Sequence, residues 1–290
     1  MEKLINKSAV LIEALPYIQE FRNEIVVIKF GGSAMENPEL TKSTMRDIVF
    51  MECIGMRPVV VHGGGKAISA KLKELDIPTK FINGLRYTCD QTISVVDDVL
   101  HNTVNKDLLR AIVESGGKAT PISGKKFLKA KKMSTSCPET GEEIDLGFVG
   151  DISDVDTTEI YAALEQNLVP VITPLAIEDG KHTLNINADI AACKIAQALK
   201  ARKLVFLSDV PGILRDPSDE SSIISSITVE EVDSLINEGI ISGGMAPKIK
   251  SAEEALLAGT NKVHIIDGRV QHSLLLEIFT DSGIGTQIIK

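Results

Sequence analysis

A chain of 290 residues with 43% hydrophobic content and mean hydropathy +0.11 is long enough for one large α/β domain or two lobes sharing a sheet. At that size folding buries about 75% of the unfolded surface, so neither a disulfide nor a metal is needed to hold the core together. A net charge of −9, a pI of 5.2 and 4% aromatic residues without tryptophan argue against a nucleic-acid partner, and no apolar run reaches the ~20 residues of a bilayer span.

Within residues 1–21, Leu4, Ser8, Leu11, Leu15 and Ile18 fall at helical spacing, and Pro16 predicts a kink or a stop. This segment is either a flap on its own domain or a helix that pairs with a copy from another subunit. Lys7 and Glu13 interrupt the apolar pattern and no small-residue cleavage site follows, so it is not read as a signal peptide and a cytoplasmic location is expected. Cys53, Cys89, Cys137 and Cys193 are scattered without a C-x-x-C pair, which points away from zinc ligation or a disulfide framework.

From Ile25 onward strands and helices alternate, the pattern of βαβ units around a mostly parallel sheet. Ile25-Val26-Val27-Ile28-Lys29-Phe30-Gly31-Gly32-Ser33 reads as a strand buried on both faces that ends in a lysine and two glycines. Lys29 either snorkels into solvent or meets an anion outside the carboxyl end of the strand, where open α/β sheets bind ligands. A helix over 39–54 follows. Pro58-Val59-Val60-Val61-His62 then runs into Gly63-Gly64-Gly65 and a helix over 66–75. Strand, glycine turn and helix N-terminus make an anion cradle, although neither the P-loop nor the dinucleotide fingerprint is present. Arg86, after Asn83-Gly84-Leu85, is either a bidentate carboxylate clamp or an ordinary surface arginine.

A long helix over 91–115 precedes charged material over 118–150, read as hairpins beside the sheet, with the basic run Lys125-Lys126 to Lys131-Lys132 solvated. A short helix ends at 166, and Val169-Pro170-Val171-Ile172 resumes the sheet. Asn185, Asn187 and Asp189 alternate, which sets all three on one face of an extended segment; Asp189 alternatively caps the helix that follows. Leu204 to Gly212 is a buried strand with a polar turn, and Ile240 to Lys248 opens a helix over 249–258. Lys248 lies in its first turn, where the macrodipole opposes a cation. A strand over 263–268, a helix over 273–279 and a closing edge over 285–288 complete the chain.

Four glycine turns, at Gly31-Gly32, Gly63-Gly64-Gly65, Gly212 and Gly243-Gly244, are expected on one rim of the sheet, with Lys29 and Lys248 reaching the same rim. Backbone N–H groups and two ammonium groups suit a polyphosphate and a phosphoryl group in transit. A carboxylate acceptor needs no general base, because it is already ionised at neutral pH.

Together, Ile28-Lys29-Phe30-Gly31-Gly32-Ser33-Ala34-Met35, Val61-His62-Gly63-Gly64-Gly65, Gly84-Leu85-Arg86, Val104-Asn105-Lys106, Asn185-Ile186-Asn187-Ala188-Asp189, Leu207-Ser208-Asp209-Val210-Pro211-Gly212 and Gly243-Gly244-Met245-Ala246-Pro247-Lys248 resemble the N-acetylglutamate kinases of the amino-acid kinase family. The match runs in order from about Ile25 to Ile288. The resemblance implies a three-layer αβα sandwich with a mostly parallel open sheet, and transfer of the ATP γ-phosphoryl to the side-chain carboxylate of N-acetyl-L-glutamate in arginine biosynthesis. It assigns transition-state stabilisation to Lys29 and Lys248, and the holding of both lysines to Asp189. Acetylglutamate falls to Gly64, Gly65, Arg86 and Asn185. The nucleotide falls to Gly31, Gly32, Ser208, Asp209, Gly212, Leu214, Gly243, Gly244 and Met245, with Mg2+ riding on the ATP phosphates. The implied division is an N-terminal helix over 1–21, an acetylglutamate-binding and dimerising half over 22–175 and an ATP-binding half over 176–290, all in one continuous kinase domain.

The first 21 residues resemble the N-terminal helix of arginine-inhibited, ring-hexameric members, whose inhibitor site would correspond here to Tyr17, His264, Glu277 and Gly283. A homo-oligomer built as a trimer of dimers, arginine as inhibitor, and a PII-type signalling protein as an additional partner belong to the same implication. Tyr87 and Cys89 depart from the small aliphatic residue and the aspartate usual beside the arginine turn, and the hairpin over 124–131 is short. Competing readings are a kinase for aspartate, glutamate or carbamate, a catalytically silent arginine sensor of the same fold, and a nicotinamide-dependent oxidoreductase, which the missing fingerprint opposes.

Overall fold

The computed structural model describes residues 2–136, 141–280 and 283–290, without the side chains at 2–4, 6 and 7. Cys137 and the side chain of Leu4 therefore lie outside the described residues. Two helices come first, α1 (Glu2–Glu13) and α2 (Leu15–Phe21), divided at Ala14. Pro16 sits in the opening turn of α2, where its missing N–H leaves no hydrogen bond unmade.

The first half then runs β1 (Ile25–Phe30), α3 (Pro38–Cys53), β2 (Arg57–His62), α4 (Gly65–Glu74), the hairpin β3 (Phe81–Ile82) and β4 (Leu85–Arg86), and α5 (Asp90–Asp98). The helix expected over 91–115 is not uniform. A π-helical segment, Val99–Asn105, joins α5 to α6 (Lys106–Glu114). Beyond it come β5 (Ala119–Ser123), β6 (Leu128–Ser136), β7 (Glu143–Val155), α7 (Thr158–Glu165), β8 (Val169–Thr173), β9 (Leu175–Glu178) and β10 (His182–Asn185). The second half is α8 (Ala188–Ala198), β11 (Lys203–Ser208), β12 (Ser226–Thr228), α9 (Val229–Asn237), α10 (Met245–Leu257), β13 (Lys262–Asp267), α11 (Ser273–Ile278) and β14 (Thr286–Ile289).

Eight strands form the main sheet in the order β12-β14-β13-β11-β1-β2-β8-β5. β1 pairs with β11 on one side and β2 on the other, both parallel, so the two halves share one sheet. β14 runs antiparallel to β13 and carries β12 outside it. The expected edge strand over 285–288 is therefore interior, and the three-residue β12, too short to show a strand period, is the edge. β6, β7, β9 and β10 close a separate small barrel, so the hairpins expected beside the sheet are one long hairpin plus β5, which joins the sheet.

Successive strand residues point to opposite faces. Val27, Val59, Val61, Leu204 and Phe206 pack with residues of α7, α8, α9 and α10 on one side. Val26, Ile28, Val60, Val205 and Leu207 pack with α3, α6, α11 and the π-helical segment on the other. Two cores flanking one sheet define the three-layer αβα sandwich. Among the described residues, the apolar side chains late in α1 do not fold back as a flap: Val10, Leu11 and Ile12 are 64–69% exposed, whereas Phe21 at the end of α2 is buried. Part of the basic run is paired rather than merely solvated, with Lys125 on Asp97 at 2.6 Å and Lys129 on Asp154 at 2.9 Å.

Candidate active site

Alternation along β1 puts Lys29 on the face of Val27, the face covered by α8 and α10. Asp189 stands in the first turn of α8 and Lys248 in the first turn of α10, which begins at Met245, four residues before the expected start. Lys29 Nζ lies 2.9 Å from Asp189 Oδ1, and Lys248 Nζ lies 3.6 Å from Oδ2. Lys29 thus meets an anion instead of snorkelling to solvent. Burial opposes ionisation of Asp189, but the two ammonium groups outweigh it and hold the carboxyl below the ordinary carboxylate range. The triad keeps one net positive charge at the carboxyl ends of the strands, an arrangement that attracts a polyanion.

The glycine turns after β1 and β2 crowd this triad. A Cβ on Gly31 would sit 2.8 Å from Lys29 Nζ. One on Gly32, where φ is +72°, would strike Asp209 Oδ1 at 2.5 Å. Asp209 accepts from Ser33 N at 2.7 Å and Ser33 Oγ at 2.6 Å; burial raises its pKa, but those bonds prevail and keep it lowered. The remaining nucleotide set is more dispersed. Ser208 ends β11 and is buried; Gly212 packs on Thr286, whose Oγ1 accepts from Ile213 N at 2.8 Å; Leu214 bridges to Ile223. Gly243 and Gly244 lead into α10, with open space around both.

A cavity of about 680 Å³ opens on this rim, and its lining includes Lys29, Gly31, Gly32, Gly64, Gly65, Arg86, Asn185 and Asp189. Arg86 is not a surface residue, being 7% exposed. Its Nη2 donates to Gly65 O at 2.9 Å and Ser69 Oγ at 2.8 Å, and its guanidinium lies 4.7 Å from the centre of the Phe81 ring. Burial pushes its pKa down, and its Nη1 is buried without a partner among the described residues. A buried donor left unpaired is costly, so this nitrogen is poised for an acceptor brought by a ligand. Asn185 Nδ2 donates to Thr88 Oγ1 at 3.2 Å.

The strand β10 ends at Asn185, the backbone stays extended at Asn187, and Asp189 already lies in α8. Asn187, not Asp189, is the N-cap of α8, with Oδ1 accepting from Asp189 N at 2.8 Å and Ile190 N at 3.2 Å. Capping frees the Asp189 carboxylate for the lysines. Leu100, Thr103 and Val104 of the π-helical segment and Phe81 also line the cavity. Sequence reasoning gave none of them a site role: Val104 entered only within a family motif, and a change of helical period leaves no signature for Leu100 and Thr103 in an apolar pattern.

A second cavity, of about 480 Å³, brings together Tyr17, His264, Glu277 and Gly283, far apart in sequence. His264 Nδ1 lies 2.5 Å from Glu277 Oε1, and Ile284 N donates to Oε2 at 2.8 Å. Burial disfavours the charged forms of both; His264 is shifted down, while the His264 contact prevails over burial to keep Glu277 lowered. Lys203, 4.8 Å from the Phe21 ring centre, is pushed down to about 8 by burial. Among the described residues no group of three or more His, Cys, Asp or Glu side chains is placed to hold a metal ion. Cys53, Cys89 and Cys193 are free thiols.

Residues 24–267 match the model of the amino acid kinase family, and the chain belongs to that family. Its relatives within that family include proteins named acetylglutamate kinase. The one from Akkermansia muciniphila is 48% identical over 289 residues, covering 99% of this chain and 97% of that one. The one from Carboxydothermus hydrogenoformans is 49% identical over 292 residues, covering 99% of each. Among solved structures, N-acetylglutamate synthase from Neisseria gonorrhoeae, complexed with coenzyme A and N-acetyl-glutamate, superposes with a TM-score of 0.84 at 28% identity. That match covers 98% of this chain, which spans only 63% of the synthase chain. Carbamate kinase from Giardia lamblia, at 16% identity and a TM-score of 0.64, shares the fold.

Proposed function

We propose that the protein transfers the γ-phosphoryl group of ATP to the side-chain carboxylate of N-acetyl-L-glutamate, giving N-acetyl-L-glutamyl 5-phosphate and ADP. The observation that carries this reading is the pair of ammonium groups, Lys29 and Lys248, joined through Asp189, with Lys29 and Asp189 lining the glycine-rich cavity. A carboxylate oxygen attacks the γ-phosphorus and the bond to the β,γ-bridging oxygen breaks. Negative charge gathers on the transferred group, and the ammonium groups stabilise it there. The nucleophile enters ionised, so no side chain has to remove a proton. Arg86 supplies Nη1 to a second carboxylate, and Gly64, Gly65 and Asn185 complete the acetylglutamate site. The nucleotide is taken as MgATP against Gly31, Gly32, Ser208, Asp209, Gly212, Leu214, Gly243, Gly244 and Met245. Asp189 and Asp209 are already engaged by lysine and serine, consistent with an ion that arrives on the phosphates. Residues 22–175 would carry most of the acceptor site, completed by Asn185, and 176–290 most of the nucleotide site, completed by Gly31 and Gly32.

The second cavity favours an added regulatory reading. The paired His264 and Glu277, with Tyr17 and Gly283, offer a carboxylate and polar walls to a guanidinium compound, in keeping with feedback inhibition by arginine. The exposed apolar residues of α1 support assembly into a homo-oligomer, a trimer of dimers in this reading. ADP formation that depends on both acetylglutamate and ATP, measured with and without arginine, tests the whole. ADP formation with aspartate, glutamate or carbamate instead would overturn the substrate, and none with any acceptor would overturn the kinase.

A further inference from the structure

His62, the last residue of β2, is fully buried, and so is Asn105, the last residue of the π-helical segment. His62 Nδ1 lies 2.8 Å from Gly63 O. A carbonyl can only accept, so Nδ1 carries the proton. A neutral imidazole then leaves Nε2 as an acceptor, and Asn105 Nδ2 stands 3.1 Å from it. The orientation of that amide is set independently, because the same Nδ2 donates to Val171 O at 2.9 Å. Carbonyls at both ends force the direction of every link between them. A second proton on His62 would set two donors against each other, and burial already holds its pKa at about 4.

The relay ends on the first glycine of the loop that lines the cavity. Gly63 N donates inward to Phe30 O at 2.8 Å, so both polar groups of that residue are taken up by the body of the fold. Leu100, also in the π-helical segment, packs so closely on the loop that a Cβ on Gly64 would lie 2.6 Å from its Cδ2. The N–H groups that follow open α4, which has no side-chain cap, and the first N–H groups of a helix have no partner within it.

We propose that His62 and Asn105 are positioning residues for phosphoryl transfer: Asn105, anchored by its donation to Val171 O of β8, donates also to His62, which in turn grips the Gly63 carbonyl so that the free N–H groups of Gly64 and Gly65 face the reacting groups. The inference rests on the phosphotransferase reading above. It makes the π-helical segment part of the machinery, pressing on the loop with Leu100 and holding it through Asn105.

Two measurements on the full chain test it. In long-range ¹H–¹⁵N correlation spectra, with His62 assigned from its loss in His62→Asn, the wild-type ring should carry its proton on Nδ1 and stay so between about pH 6 and 8. A proton on Nε2, or a titration in that range, overturns the relay even if His62→Leu does not fold. In kinetics, His62→Leu should lower kcat at least ~10-fold with the KM for ATP changed less than ~3-fold, as for a displaced catalytic loop. His62→Asn, which keeps an N–H within reach of Gly63 O, should recover most of that loss. Equal loss in both folded variants, or undiminished turnover in His62→Leu, removes the positioning role. Should the wild type form no ADP with acetylglutamate, the substrate assignment fails while the proton position on His62 is still read.

Discussion

Asp189 is the side chain on which both lysines depend. Replacing it with asparagine leaves two ammonium groups, each 13% exposed, facing one another without a counter-charge. Asp189→Asn is expected to lower kcat at least ~100-fold, and Lys248→Ala by a similar factor with ATP binding largely intact; single-turnover rates and nucleotide titration check both. Away from the site, Asp47 is raised to about 6, because burial outweighs its 2.6 Å contact with His272 Nδ1. An acid whose folded pKa is raised stabilises the fold while protonated and loses that contribution as pH climbs from 3.8, the model-peptide value, through about 6. Asp47→Asn should therefore gain on the wild type over that window, approaching ~3 kcal/mol before lost hydrogen bonding is counted. Urea denaturation at a series of pH values reads it, and a constant difference would contradict it. The lysines were legible in the sequence because a cation inside an apolar strand or at a helix N-terminus is locally out of place. Pairs such as Asp47 and His272, 225 positions apart, leave no local trace.

Elements were read well where a period persists and poorly where it changes. β1, β2, β8, β11 and β13 are apolar runs long enough to announce a buried parallel strand. The π-helical segment is invisible by the same reasoning, yet it walls the cavity. Its contact with the glycine loop makes a prediction. Gly64→Ala forces Leu100 aside and should cost about 1–3 kcal/mol, with a raised KM for acetylglutamate. Leu100→Ala alone leaves a cavity worth about 2–5 kcal/mol. The double substitution should be milder than the sum, because the new methyl occupies the vacated space; a double-mutant cycle with zero coupling would refute that packing. The polar alternation before α8 brings Asn185, Asn187 and Asp189 to one cavity wall, but not along a single strand. Asn187 turns back to cap, and capping geometry is set by the helix that follows, not by the strand before it.

At the scale of the molecule, the sheet class and the convergence of both ends of the chain on one rim were legible from the order of strands, glycine turns and helices. The fate of α1 was not, since an amphipathic stripe does not say what covers it. Leu11 is 69% exposed, while Phe21 and Tyr17 reach the second cavity. Leu11→Glu is expected to reduce the mass measured by light scattering while leaving arginine binding measurable. Deleting 1–21 should diminish both. Unchanged mass in each would detach α1 from assembly. No helix among the described residues is long and apolar enough to cross a membrane.

The placement of β14 between β13 and β12 also governs how the protein can be made. Residues 226–228 leave the ribosome well before 286–289, their sole strand neighbour in the sheet, so they must wait unpaired during synthesis. Until β14 is in place, one border of β13 has unpaired N–H and C=O groups. A chain stopped short of Thr286 would keep that border, making it a template for runaway strand addition and a natural ward of holdase chaperones.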